Sequence, residues 1–449
     1  MNGEAGSSAT DSTDQVASSA DRDTTPDPQP TTRSDAREFD VVVFGVTGFV
    51  GELTAKYLAE HAPRGTKVAL AGRSETKLAA TRKRLPARAH DWPLIVADSS
   101  SPASLDAMVA RTRVVCTTVG PYLRYGEALV VAAASAGTDY VDLTGEAPFI
   151  HFSINKAHET AVATGARIVH ACGFDSVPSD LGAYLLWKKI SDDDAGELTD
   201  TTFVVKSFKG GISGGTIDSM RVIAEESRDA QTRRLLLNPH SLSGAPGNTP
   251  RPSISSEPSD MSMISARKVD PSMRGTLAPF FMAASNTRVV RRTDALLDGA
   301  YGKDFHYAET MSVGQIPGVT TVVAGAVAVG TGAFLGAMSF GPTRKLLDRV
   351  LPKPGEGPSE KTREKGSFVT ETYTTTTTGR RYRSQMRMKG DPGYKATAVM
   401  LGESALSLAL ERDRLPNRSG VLTPAYAMGD VLTDRLRAAG ATLDAVELT

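Results

Sequence analysis

Hydrophobic residues first gather at Asp40-Val41-Val42-Val43-Phe44, a short β-branched run suited to a strand buried on both faces. A Gly-rich turn follows, and residues 49–61 read as a helix ended by Pro63 and Gly65. The alternation then repeats. Residues 67–71, 93–97, 114–119, 140–143 and 167–170 carry strand patterns, and 74–85, 126–136 and 151–164 carry helical ones. Ser101-Pro102 supplies a cap and a first helical position. Strands alternating with helices of this length predict an α/β unit, a Rossmann-type doubly wound parallel sheet, over residues 39–187.

The second half has a different rhythm. Residues 201–209 are strand-like and run into the Gly-rich stretch 210–216, while 241–270 is Pro- and Ser-rich and reads as a long loop. Residues 368–389 read as a hairpin turning near Gly379. On its second strand Tyr382, Ser384, Met386 and Met388 alternate with Arg381, Arg383, Gln385, Arg387 and Lys389. An α+β second domain with an antiparallel sheet is expected over 188–394. Helical patterns at 396–411 and 425–439 then return the chain, over 395–449, to the first domain. Residues 1–38 hold few large apolar side chains and read as a solvated tail.

One segment departs from both patterns. Residues 310–343 contain no ionisable side chain, and 319–340 are mostly Val, Ala, Gly, Leu and Phe. That length can span a bilayer, and Gly332 and Gly336 form a small-xxx-small pair. Its Gly and Thr content keeps the hydrophobicity modest. A buried core helix or Gly-rich connection is one reading. Peripheral contact with a membrane, or the wall of a lipid channel, is the other; spanning is the least favoured.

Composition narrows the function. Fifty-one basic residues balance 51 acidic ones, so a global electrostatic grip on nucleic acid is not expected. Cys116 and Cys172 cannot build a disulfide framework or a zinc cluster, and no metal site is expected. A reduced cytoplasmic setting fits them, with peripheral contact at the inner face of the plasma membrane as an option.

The chemistry concentrates where strands end. Gly45-Val46-Thr47-Gly48-Phe49-Val50-Gly51 follows a strand and opens a helix, the context that turns a glycine motif into a dinucleotide site. Helix N–H groups and the positive helix end then face a pyrophosphate. The second strand ends Ala71-Gly72-Arg73-Ser74, where NAD-binding domains usually place an acid. Arg73, with Ser74 and Lys77, suits a 2′-phosphate instead, so NADP is expected. Asp98 sits where an adenine amino group is often bound, or else caps a helix. Gly120 and Pro121, after the fourth strand, face the expected nicotinamide position. The stretches at the ends of the fifth and sixth strands, Tyr140 to Glu146 and His170 to Asp180, converge on the same point.

The stretches GVTGFVG, AGRS, VGPYLRYGEALV, DYVDLTGE and HACGFDSVPSDLG resemble the saccharopine dehydrogenase-like oxidoreductases, and most closely their trans-acting enoyl reductase subgroup. The likeness continues through KGGISGGTIDSM, APFFMAASNTRVVRRTDALL, GDPGYKATAVMLGESALSLA and GVLTPAYAMGDVLTDRLRAAG, and so covers residues 39–448 apart from the loop around 241–270. Leu277 departs from it, standing where an aromatic residue is expected before Ala278. The resemblance implies an NADPH-dependent reductase that saturates an enoyl thioester on an acyl-carrier domain. Its partner would be a polyketide synthase without its own enoyl reductase, in envelope lipid and glycolipid synthesis.

Enoyl reduction needs a hydride at the β-carbon, a donor for the enolate oxygen and a proton for the α-carbon. Tyr122 is the first proton-donor candidate. Ser213 and Thr216, with the N–H groups of Gly214 and Gly215, are placed to hold the thioester oxygen. Tyr140, Cys172 and Asp175 rank second. The strand face of Arg381, Arg383, Arg387 and Lys389 offers a dock for an acidic carrier domain, or is simply solvated. Two rivals stand beside this reading. An imine or carbonyl reductase acting on an amino acid would need an inward arginine cluster, with Arg124, Arg221, Arg288 and Arg291 as candidates. A catalytically silent NADP-binding lipid adaptor would consume no NADPH.

Overall fold

A computed structural model describes residues 37–211, 214–244, 257–339, 342–343 and 357–449. The expected tail up to Ala36, the middle of the Pro-rich loop (245–256) and the end of the apolar segment (340–341) lie outside these residues. β1 (Phe39–Phe44), β2 (Val68–Gly72), β3 (Leu94–Val96), β4 (Thr112–Thr117), β5 (Asp139–Val141) and β6 (Arg167–Val169) follow the strand patterns closely. They pair in the parallel order β3-β2-β1-β4-β5-β6. The connections are α1 (Phe49–His61), α2 (Glu75–Arg84), α3 (Pro102–Val109), α4 (Tyr122–Tyr125), α5 (Glu127–Ala136) and α6 (Ala147–Thr164).

β1 shows why the run is apolar on both faces. Val41 and Val43 belong to one buried cluster, and Val42 and Phe44 to another on the opposite face. The first cluster does not stop at this domain. It continues through Leu181 and Leu186 of α7 (Val177–Asp192) to Phe203, Phe368, Tyr382 and Met386 of the second sheet. One core therefore joins the two sheets, with α7 and the helices Thr397–Leu410 and Pro424–Ala438 between them.

The second sheet is mixed rather than wholly antiparallel. β7 (Leu198–Lys209) leads to α8 (Gly214–Glu226), α9 (Ala230–Leu237), β8 (Ile264–Ser265), α10 (Ala266–Val269), β9 (Thr276–Pro279), α11 (Ala283–Leu296) and β10 (His306–Met311). β10 runs parallel to β7, and the other neighbours are antiparallel in the order β14 (Thr442–Leu448), β12 (Arg381–Lys389), β11 (Ser367–Thr376), β7, β10, β9, β8. The hairpin is β11 (Ser367–Thr376) and β12 (Arg381–Lys389), turning at Gly379 with φ 82°. Two strands at the C-terminus add to what the helical patterns suggested. β13 (Gly420–Leu422) extends the parallel sheet beside β6, and β14 (Thr442–Leu448) edges the second sheet beside β12.

The apolar segment divides. Thr310 and Met311 end β10, while α12 (Val319–Ser339) packs on β9 and α8. Its window of mean hydropathy 1.7 is only 12% buried, so it is not a core helix. Val322 and Val329 stand 73% and 72% exposed. Leu277 packs with Val204, Ala266 and Tyr373, apart from the cleft described next, so the missing aromatic does not touch the site.

Candidate active site

A cleft of about 510 Å³ opens where the carboxyl ends of β1, β2 and β4 meet α8. It gathers Gly45, Thr47, Gly48, Phe49, Val50, Gly51, Arg73, Gly120, Pro121, Tyr122 and Thr216, most of the residues singled out above. The Gly-rich turn explains itself sterically. Gly45 adopts φ 89°, and a Cβ there would lie 2.7 Å from Val119 Cγ2. A Cβ on Gly51 would stand 2.3 Å from the Gly45 carbonyl oxygen, so helix and turn close only on glycine. Gly48 donates its N–H to Gly45 O at 2.9 Å and begins α1, whose amide end borders the cleft. These features fit a dinucleotide, with the pyrophosphate at the α1 N-terminus and Arg73 toward a 2′-phosphate.

Other expected residues take different roles. Ser74 N-caps α2, its Oγ accepting from Lys77 N at 3.4 Å. Asp98 is absorbed by its own loop, accepting from Ser100 N at 2.9 Å and Ser100 Oγ at 2.8 Å. These bonds, and more weakly Arg73, hold its carboxyl below the ordinary range, and Ser99 borders the cleft in its place. Ser213 lies outside the described residues. The Gly214 N–H is not open to a substrate oxygen, because it donates to Tyr394 Oη at 3.2 Å.

Tyr122 lines the cleft but is 5% exposed. Its hydroxyl donates to Thr117 O at 3.3 Å and accepts from Leu143 N at 3.2 Å. Burial drives its pKa well above the phenol range. A hydroxyl committed to two backbone groups braces β4 against the β5 loop, and is poorly placed to give up a proton. Tyr140 is equally committed, donating to Asp142 at 2.9 Å, and Cys172 is a fully buried thiol with its pKa pushed far up. Asp175 differs. It faces the cleft, and burial pushes its carboxyl up to about 6.

Glu146 stood out in the sequence only as the end of the β5 loop, and Ser219, Met220, Ile223, Met282 and Tyr394 were not singled out as site residues. Met220, Ile223 and Met282 give the cleft an apolar wall. Met220 also packs with Ile217, Phe334 and Met338, which carries that wall to the underside of α12. The proposed arginine cluster does not form. Arg124 pairs with Glu225, Arg221 with Asp218, Arg288 with Asp260 and Arg291 with Glu257. Among the described residues Arg73 is the cation lining the cleft. On the strand face, Arg381 and Arg383 pair with Asp270 and Glu371, while Arg387 and Lys389 are exposed.

Comparison with known proteins decides the family. The profile described as saccharopine dehydrogenase NADP binding domain matches residues 41–169. A Mycobacterium tuberculosis protein with the provisional name trans-acting enoyl reductase is 53% identical over 422 residues, 92% of this chain and 98% of the relative. The chain belongs to the trans-acting enoyl reductases. A second relative, the trans-acting enoyl reductase of Mycobacterium bovis, is 48% identical over 92% of this chain and 99% of its own. That of Mycobacterium ulcerans is 47% identical over 92% and 99%. Apo saccharopine dehydrogenase (L-Glu forming) from Saccharomyces cerevisiae shares the fold, with TM-score 0.50, 14% identity and coverage of 91% and 99%. This enoyl reductase is thus an NADP-dependent oxidoreductase acting on an enoyl group.

Proposed function

We propose that this enoyl reductase works in trans, saturating an α,β-unsaturated thioester held on the acyl-carrier domain of a polyketide synthase that lacks the activity, in envelope lipid or glycolipid synthesis. The observation that carries the reading is the apolar wall of Met220, Ile223 and Met282 beside the dinucleotide turn, in a cleft whose lining cation among the described residues is Arg73. Such a wall suits an acyl chain and offers nothing to the carboxylates of an amino acid. Names given to the relatives point the same way.

Gly45, Thr47, Gly48, Phe49, Val50, Gly51, Gly120 and Pro121 would hold NADPH, with Arg73 on its 2′-phosphate. The bound cofactor supplies the hydride to the β-carbon. Thr216 and the Gly215 N–H stand on the acyl side to take the thioester oxygen as enolate charge develops. Asp175 then gives its proton to the α-carbon and regains one from water, so the chain gains one hydride and one proton. Tyr122 keeps the β4 loop in place. The exposed face of α12 rests on the inner face of the plasma membrane without crossing it, beside the path by which a long acyl chain would leave.

The test is reconstitution with carrier-bound enoyl chains of increasing length. Burial contributes about 0.8 kcal/mol per methylene, so the apparent KM should fall about fourfold per methylene until the wall ends. A KM independent of chain length would remove the acyl-channel reading.

A further inference from the structure

Glu146 is wholly buried, yet its carboxylate joins both halves of the protein. From the first domain, Oε1 accepts the Tyr122 N–H at 2.9 Å and Oε2 the Leu123 N–H at 2.8 Å. From α8, the Ser219 hydroxyl donates to Oε1 at 2.6 Å. The two amides open α4, directly after the Gly120-Pro121 turn on the expected nicotinamide side. Ser219 lines the cleft between Asp218 and Met220, on the acyl side. An exposed pair, Arg124 with Glu225, repeats the α4–α8 link nearer solvent, where ion pairs contribute little.

A buried carboxylate is costly unless its oxygens are fully used. Here three donors converge on it, and burial raises its pKa while those three donors oppose the rise. A structural cap of α4 would need only the two amides. The third bond, across to Ser219, is what ties the cap to the other domain.

We propose that Glu146 is a positioning residue that sets the nicotinamide loop in register with the acyl wall, so that cofactor bound on one side fixes α8 on the other. It touches neither substrate nor cofactor and acts through Tyr122, Leu123 and Ser219. Sub-ångström placement matters here because hydride transfer needs the reacting atoms in near-attack contact.

The experiment compares wild type, Glu146→Gln, Ser219→Ala and the double variant by two readouts. In hydrogen exchange, NADPH added to wild type should slow amides in both residues 120–126 and 219–226. In Ser219→Ala the protection should persist at 120–126 and be lost at 219–226. Glu146→Gln, whose single amide oxygen cannot accept both the Tyr122 and Leu123 N–H groups, should lose it at 219–226 and weaken it at 122–123 as well. In single turnover with a pantetheine-linked enoyl thioester and NADPH deuterated at the transferred position, hydride transfer should slow by about tenfold or more, as for a lost charged hydrogen bond. NADPH affinity should stay within about threefold, and the double variant should be no slower than Glu146→Gln alone. The surface-side Ser219→Ala carries the test if the buried substitution fails to fold. Unchanged exchange at 219–226, a loss confined to NADPH affinity or stability, or additive effects of the two substitutions would each overturn the proposal. Exchange needs no substrate, so failure of the thioester to react would tell against the substrate reading and leave this one decided by exchange.

Discussion

Asp175→Asn should make the protein slower and more stable at once. In the native state the Asp175 carboxyl titrates near 6 against an ordinary 3.8, because burial in the cleft wall penalises its charge. The native state therefore binds this proton more tightly than the unfolded chain does, and stability falls as pH rises from about 4 through about 6. Above that window the penalty is about 3 kcal/mol, taking about 1.4 kcal/mol per pH unit. Water reaching the carboxyl from the open cleft reduces it toward about 2 kcal/mol. An amide of the same shape carries no charge, so Asp175→Asn should gain about 2–3 kcal/mol at pH 8 and about half as much at pH 5. Loss of a general acid should slow turnover by about 10²–10⁴. Urea unfolding at the two pH values, with NADPH oxidation measured alongside, checks both. A variant that is no more stable at pH 8 would refute the desolvated carboxyl. A variant that is stabilised but turns over normally would refute its role as acid.

The other expectations concern separate features. Arg73→Ala removes a contact of about 1.5–3 kcal/mol with the 2′-phosphate and should weaken NADPH at least tenfold while leaving NADH affinity nearly unchanged, measured by fluorescence titration. Val322→Asp with Val329→Asp should abolish co-sedimentation with anionic lipid vesicles without lowering turnover of a short soluble enoyl thioester. Persistent binding would show that α12 is not the contact. Cys172→Ala should leave activity within about threefold and cost about 1 kcal/mol or less, a small cavity penalty. Loss of activity on that change would restore the thiol as a candidate.

Much of this was legible from residue order. β1 to β6 announced themselves because strands covered on both faces are continuously apolar, and the glycine turn because steric demands at Gly45 and Gly51 admit no side chain. β13 is only Gly420-Val421-Leu422, too short to carry a period. β14 was hidden because an edge strand tolerates charged residues, here the half-buried Asp444 and the exposed Glu447, which break the apolar alternation. The parallel pairing of β10 with β7 joins segments about a hundred residues apart, which no local pattern encodes. At the site, loop position identified Tyr122 and Asp175 together. Only hydrogen bonding separates them, since one hydroxyl is fully engaged and one carboxyl faces the cleft. Glu146 stood out only as the end of a loop, because its individual role lies in Ser219, 73 residues away in sequence. The exposure of α12 was likewise undecidable from an apolar run, because a core helix and a surface helix facing lipid have the same composition.

The central claim is tested most directly by offering purified protein and NADPH two substrates side by side: an enoyl chain on a carrier domain, and a saccharopine-type imine. Mass spectrometry of each after incubation should show a gain of two hydrogens on the carrier-bound chain and no change in the imine. Reduction of the imine alone would contradict the account and place the cleft with the amino-acid reductases, and no turnover of either would leave a nucleotide-binding protein without the proposed reaction.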